Sequence, residues 1–320
     1  MNPSARALVL GASGFCGAHL CQTLRERGAD FLAFDRAPLP PQLADVPFVG
    51  GDITDLPLLR ELLAQGFETV FLLAAQPIVA TSVQEPWETM GSNIVGTYAV
   101  LEAIRLEAPE TKLVFASSGA YYGATNATHP IGEDEPALVA GNIYAPTKAA
   151  ADLAVRCYAR VYGLKTATCR WMNTYGPGDG NFSRVVPATL LRARDGKPGI
   201  ISATDGTNVL ELLHVRDMIE AYLLVAAQLE RDEVRGQAFN FGGGAPLVLK
   251  DVVRRITRAW NDATGQDVPI EPEILGPRVE SVKYLDIFKA RRVLGWEPKI
   301  ELDEGLRETA AAYARDWGVP

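Results

Sequence analysis

Short apolar runs alternate with amphipathic stretches through the first half of the chain. Ala7-Leu8-Val9-Leu10, Phe31-Leu32-Ala33-Phe34, Val70-Phe71-Leu72-Leu73 and Lys112-Leu113-Val114-Phe115 carry almost no polar position. Runs of that kind read as strands buried on both faces, the situation of a parallel sheet. Between them, Cys16 to Arg27, Leu56 to Ala64 and Asn93 to Glu107 read as helices. Strand–helix–strand order repeated in this way predicts an α/β fold built on a doubly wound parallel sheet.

A further helix is predicted from about Pro146 to Tyr162, followed by the strand-like Thr166-Ala167-Thr168-Cys169-Arg170. After Tyr175-Gly176-Pro177-Gly178-Asp179-Gly180 the alternation fades. Helices from Pro187 to Arg194, Val215 to Gln228 and Leu249 to Thr264 then mix with short strands and Pro/Gly loops. The expected division is a sheet domain of 1–176 plus about 212–242, with a smaller C-terminal α/β lobe of 177–211 plus 243–320.

Composition narrows the function classes. The 320 residues carry a formal net charge of −8 with no lysine- or arginine-rich block, so nucleic acid is not an expected partner. Cys16, Cys21, Cys157 and Cys169 show no CxxC spacing and read as free thiols of a reducing compartment. His19, His129 and His214 lie far apart, so no metal site is expected. No export signal is recognisable at the start, and no apolar run reaches the ~20 residues that span a bilayer. A cytoplasmic protein without a membrane partner is the expectation.

The first strand runs into Gly11-Ala12-Ser13-Gly14-Phe15-Cys16-Gly17 and then a helix. Glycines at that junction let the backbone approach a pyrophosphate, whose charge then sits at a helix N-terminus. Asp35 ends the second strand, where an acid would bond the ribose hydroxyls of a dinucleotide and repel a 2′-phosphate. Arg36 softens that repulsion, and Asp52, in Gly51-Asp52-Ile53 at the end of the third strand, is placed to meet the adenine amino group. Either acid alone reads equally well as a loop acid or a helix cap. Their joint placement after successive strands points to NAD.

Tyr144-Ala145-Pro146-Thr147-Lys148 carries the candidate chemistry. Pro146 suits a first helical turn, and residues four apart share a helix face, so Lys148 is expected beside Tyr144. A neighbouring cation favours phenolate and turns a tyrosine into a usable acid/base. Ser117-Ser118 ends the preceding strand, and Ser118 is expected to hydrogen-bond the reacting hydroxyl.

These stretches resemble the extended short-chain dehydrogenase/reductases, in particular the sugar-nucleotide epimerase/dehydratase superfamily. The likeness covers the whole chain through Gly11 to Gly17, Leu73-Ala74-Ala75-Gln76-Pro77, Asn93-Ile94-Val95-Gly96-Thr97, Ser117 to Gly123, Tyr144 to Lys148, Arg170 to Gly178 and Lys289 to Trp296. Ala74-Ala75-Gln76-Pro77, Asn181-Phe182-Ser183-Arg184 and Phe239-Asn240-Phe241-Gly242 are most similar to the CDP-glucose 4,6-dehydratase branch. The resemblance implies a Rossmann domain with a substrate lobe. Its NAD would be held by Gly11, Gly14, Phe15, Cys16, Gly17, Asp35, Arg36, Asp52, Ile53, Leu73, Ala74, Ala75, Asn93, Tyr144 and Lys148. Tyr144 would take the proton of a sugar hydroxyl, C4 in most relatives, while hydride passes to NAD. Lys148 would lower the Tyr144 pKa and hold the nicotinamide ribose. Gln76, Ser118, Asn173 and Arg184 would hold a nucleotide sugar. Homodimer pairing through the helices at 93–107 and 146–162 is implied by analogy.

Two departures shape the reading. Dehydratases of the superfamily place an acid and then a lysine or glutamate directly after Ser118, whereas this chain has Gly119 and Ala120. Elimination at C5 and C6 needs an acid/base, so the leading expectation is an epimerase. The alternatives are a dehydratase with displaced groups such as Tyr121 or Tyr122, a net dehydrogenase or ketoreductase, and a dinucleotide sensor without turnover. Leu210 stands where relatives place a diphosphate-clamping arginine, and a second such arginine is absent near Val282-Lys283. Lys283 or Arg278 could reach in, a lysine without the bidentate fork of arginine, so either the diphosphate is held differently or the substrate is not a conventional nucleotide sugar.

Overall fold

The computed structural model describes residues 6–124, 129–277 and 283–319. The chain opens with β1 (Ala7–Leu10), α1 (Phe15–Glu26), β2 (Phe31–Asp35), β3 (Phe48–Gly50), α2 (Leu56–Leu63) and β4 (Thr69–Leu72). Two short helices, α3 (Val79–Gln84) and α4 (Pro86–Met90), precede α5 (Gly96–Glu107), β5 (Lys112–Ala116), α6 (Tyr144–Tyr162) and β6 (Thr166–Trp171). Then come β7 (Asn173–Tyr175), α7 (Val185–Arg194), β8 (Ile200–Ile201), β9 (Val209–Leu210), β10 (Leu212–His214) and α8 (Val215–Gln228). The last elements are β11 (Ala238–Phe241), β12 (Leu247–Val248), α9 (Leu249–Thr264), β13 (Glu273–Ile274) and α10 (Leu302–Asp316).

Seven parallel strands form one sheet in the order β11-β6-β5-β4-β1-β2-β3. Side chains alternate between its faces. Ala7 and Val9 pack with Leu20, Leu24 and Tyr222 beneath α1 and α8, while Leu8 and Leu10 pack with Leu59, Val100 and Ile104 beneath α2 and α5. The predicted doubly wound parallel sheet is therefore present. Strand order reverses between β1 and β4, and at such a point the loops leaving two neighbouring strands part and open a crevice.

Past the sheet, α7, α9 and α10 bury Leu190, Ile256, Trp260, Leu306 and Tyr313 in a second core. Strand β11 returns to the edge of the large sheet beside β6, in register Ala238↔Thr168 through Phe241↔Trp171. The helix predicted from Asn93 begins regularly only at Gly96, because Gly91–Val95 forms a π-turn that continues from α4. Helices α3, α4 and α10 lie outside the predicted set.

Candidate active site

The glycine loop lies on the crevice between β1 and β4. Gly11 donates from its backbone to Phe34 O at 2.9 Å, and Leu10 O accepts from Leu73 N and Ala74 N at 2.8 and 2.9 Å. This squeezes the loop: a Cβ at Gly11, whose φ is +93°, would stand 2.4 Å from Ala74 N, and one at Gly17 would stand 1.9 Å from Gly11 O. Gly14 is crowded far less, with its nearest such neighbour at 3.5 Å, and it opens α1 as the residue before the first turn. The cradle thus fits a pyrophosphate at a helix N-terminus.

The crevice is lined by Gly11, Gly14, Phe15, Cys16, Gly17, Asp35, Arg36, Ile53, Leu73, Ala74 and Ala75, all named from the sequence. Asp35 is fixed by Ser13 N at 3.0 Å and Ala37 N at 3.1 Å, one on each carboxylate oxygen. Arg36 pairs with Asp52 at 3.5 Å. That pairing offsets the guanidinium beside Asp35 and leaves the acid to set the sign of the ribose end.

Asp52 sits between Gly51 and Ile53, both on this wall. Partial burial pushes its carboxyl up, but Thr54 N and Thr54 Oγ1, each at 2.8 Å on one oxygen, together with Arg36 hold it below the usual range. The Asn93 carboxamide bridges Gln76 N at 2.8 Å, Gln76 O at 3.2 Å and Thr147 Oγ1 at 3.0 Å. Asn93 therefore ties the loop after β4 to the first turn of α6. A π-turn puts it in register for both.

A second cavity opens alongside, lined by Ser118, Tyr144, Lys148, Asn173, Arg184 and Cys16 among others. Tyr144 is the first residue of α6, and its backbone N–H donates to Ser82 Oγ of α3 at 3.1 Å. Its phenol shares this cavity with Ser118. Burial pushes the phenol above its ordinary range, while Ser118 and the Arg184 charge pull it down. Lys148, one helical turn on from Tyr144 in α6, lines the same cavity. The Lys148 ammonium bonds Ala116 O at 2.5 Å and lies 4.7 Å over the Phe115 ring, and burial brings its own pKa down to about 8. Arg184 is a further cation on this cavity, and its charge acts on Tyr144.

Arg184 lines both cavities and is held by the buried Asp179 at 3.1 Å. Asn173 donates to Glu211 O at 3.1 Å. Trp171, Met172, Met218 and Tyr222 complete the wall and were missed by motif reading. Met218 and Tyr222, four apart on α8, carry only the spacing of core residues. Burial pushes the Cys16 thiol up to about 12, so it is an inert wall rather than a nucleophile.

The residues after Ser118 form a 3₁₀ turn, Gly119–Tyr122, capped by Ser118 Oγ accepting from Ala120 N at 3.1 Å. Tyr122 donates its hydroxyl to Asn240 Oδ1 at 2.7 Å and accepts from Arg170 at 2.9 Å, and burial pushes it up to about 12. The Tyr121 ring lies under the Arg170 guanidinium at 3.6 Å. Arg170 and Asp152, both fully buried, share two bonds at 2.9 and 3.0 Å. Both tyrosines thus belong to a buried network, and neither is a poised acid/base. Beyond this turn a third cavity is lined by Ser118, Gly119, Ala120, Met172, Asn173 and Lys283 among others. Leu210 pairs with Leu247 in β9 and β12. Arg278 and Val282 lie outside the described residues. Among the described residues, no group of three or more His, Cys, Asp or Glu is placed to hold a metal, and no helix is long and apolar enough to cross a membrane.

Residues 7–242 match the family model described as "NAD dependent epimerase/dehydratase family". The chain is 30% identical to the trifunctional UDP-glucose 4,6-dehydratase/UDP-4-keto-6-deoxy-D-glucose 3,5-epimerase/UDP-4-keto-L-rhamnose-reductase of Arabidopsis thaliana, over 97% of this chain and 48% of that protein. It thus spans about half the length of the first curated relatives it matches. It is 32% identical to the UDP-glucose 4-epimerase of Mycolicibacterium smegmatis, over 96% of this chain and 98% of that one. Among solved structures, the UDP-glucose 4-epimerase of Thermotoga maritima with UDP-glucose superposes with a TM-score of 0.84 at 29% identity, covering 98% and 99% of the two chains.

Proposed function

Because the chain belongs to the NAD dependent epimerase/dehydratase family, we propose that it is a nucleotide-sugar epimerase acting through a transient keto-sugar at C4. One observation carries this reading. Ser118 and Tyr144 line one cavity beside the dinucleotide crevice, while the turn that follows Ser118 offers only Gly119, Ala120 and two tyrosines bound into a buried network. Such a site can exchange a hydroxyl proton. Among the described residues of this turn it has no base placed for elimination.

Bound NAD would supply the hydride acceptor and donor, its pyrophosphate held by the glycine cradle and its adenosine ribose by Asp35. Ser118 orients the sugar hydroxyl, and Tyr144 accepts its proton and later gives it back. Arg184 and the ammonium of Lys148 supply the positive field that makes the buried phenol a usable base. Asn173 and Arg184 steady the nucleotide end. Similarity to UDP-glucose 4-epimerases along nearly the whole chain supports a nucleoside-diphospho-hexose as substrate. A cytoplasmic homodimer is the expected form.

The test is incubation with NAD and UDP-glucose, followed by proton NMR and mass spectrometry of the sugar. An isomer of unchanged mass is expected, with Tyr144→Phe slower by about 10²- to 10⁴-fold while NAD stays bound. Loss of water would overturn the epimerase reading in favour of a dehydratase. Stoichiometric NADH would instead identify a net dehydrogenase.

A further inference from the structure

Among the described residues, Arg184 is the one charged residue that lines both the dinucleotide crevice and the cavity of Tyr144. A long arginine side chain samples many rotamers, so holding it in one place takes an anchor. The anchor is Asp179, which is buried. Its Oδ2 accepts from Arg184 Nη1 at 3.1 Å, and its Oδ1 accepts from Asn181 N at 3.1 Å. Its backbone oxygen accepts the hydroxyl of Tyr313, 134 positions further along the chain in α10. A buried carboxylate is tolerated only where its lone pairs are taken, so these contacts hold one another in place.

The end of α10 also grips the chain on both sides of Arg184. Trp317, the residue after α10, faces Phe182 with ring centroids 6.4 Å apart. The Arg194 guanidinium at the far end of α7 lies 5.1 Å over the same indole. Arg184 itself is the residue before the first turn of α7, between these two contacts. We propose that Asp179 and Tyr313 are positioning residues that act through Arg184, so that α10 governs how tightly the ligands of the two cavities are held. Its effect on NAD follows from the crevice alone, whereas its effect on a sugar nucleotide rests on the proposed function.

Calorimetry measures NAD binding, and UDP binding to the NAD-loaded protein, in the wild type, Tyr313→Phe, Asp179→Asn and Arg184→Gln. Two doubles add Tyr313→Phe or Asp179→Asn to Arg184→Gln. Arg184→Gln is expected to weaken NAD, UDP or both about tenfold. Tyr313→Phe and Asp179→Asn should weaken the same ligand about threefold or more. In the Arg184→Gln background either change should alter that affinity less than about twofold, because the group through which it acts is gone. A merely structural role would persist there, so losses that multiply in the doubles overturn the proposal. Wild-type affinity for both ligands in Arg184→Gln, or in both anchor variants, overturns it as well. If Asp179→Asn fails to fold, the Tyr313→Phe cycle, which removes one hydroxyl and no charge, decides alone. A wild type that binds NAD but not UDP removes the nucleotide-sugar reading, while the cycle on NAD still tests Arg184 and its anchors.

Discussion

At the scale of single residues, the chemistry turns on how burial acts on two adjacent groups of opposite type. Burial disfavours charge, so it raises the Tyr144 phenol and lowers the Lys148 ammonium to about 8. Lys148 is charged below that value and becomes neutral as pH rises through it. Its cost to the fold is therefore greatest at low pH and fades as pH climbs towards the ordinary lysine range. Activity should show the opposite preference if the cation helps the phenol, with kcat/KM falling as pH rises through about 8. Lys148→Arg, whose charge does not titrate there, should lose that alkaline limb while turning over more slowly. A pH–rate profile of the two proteins checks it, and coincident limbs would remove Lys148 from the role. Tyr144 and Lys148 were readable because their spacing is local, and Ser118 because it follows a strand end. Arg184 as a cation acting on Tyr144 was not, because 40 positions of chain separate them and only folding brings both to one cavity.

Among the elements, α8 shows how a capping residue links packing to pH. His214 ends β10 and caps α8, its Nδ1 accepting from Arg216 N at 3.2 Å. Accepting there leaves the ring proton on Nε2, which lies 3.8 Å from Glu308 Oε2 and makes no hydrogen bond among the described residues. Burial lowers its pKa to about 3, so the folded ring is neutral. Below the ordinary histidine pKa of about 6.5 the unfolded chain binds the proton and the folded one does not, so stability is lost as pH falls through that window. His214 should cost the fold about 2 kcal/mol between pH 7 and 5. His214→Asn keeps a capping oxygen without the titration. Urea denaturation at both pH values should give the variant the shallower loss, and equal losses would place the acid sensitivity elsewhere. Element existence was largely legible: β1, β2, α8 and α9 fall where periodicity puts them. The π-turn at Gly91–Val95 was not, because its register is set by the Asn93 bonds to Gln76 and Thr147, which span 17 and 54 residues of chain.

For the whole molecule, the exposed apolar side chains are not scattered. Tyr98 and Leu106 of α5, with Val95 just before it, and Leu153, Val161 and Tyr162 of α6 remain between 43% and 62% exposed on two adjacent helices. A contiguous patch of that kind marks an interaction surface. Matching helices on a second copy would cover it as an isologous interface. Light scattering behind gel filtration should give the mass of two chains, and Leu153→Glu with Val161→Glu should give one. A monomeric wild type would leave the patch for another partner.

The sequence by itself determined the layered α/β plan, the glycine cradle and the Ser118, Tyr144 and Lys148 set. Each of these is written in short-range spacing, where backbone geometry alone decides which side chains share a face or a turn. It also showed, through Gly119, Ala120 and Leu210, which groups the chain lacks. Tertiary structure decided the rest. It tied Asp52 to Thr54 and Arg36, bridged Asn93 to Gln76 and Thr147, and set Tyr121 and Tyr122 around the buried Arg170–Asp152 pair. It also brought Met218, Tyr222 and Lys283 to the cavities. Those outcomes depend on hydrogen bonds and close packing between segments far apart in the chain, and no local pattern encodes which distant donor will reach a given acceptor first.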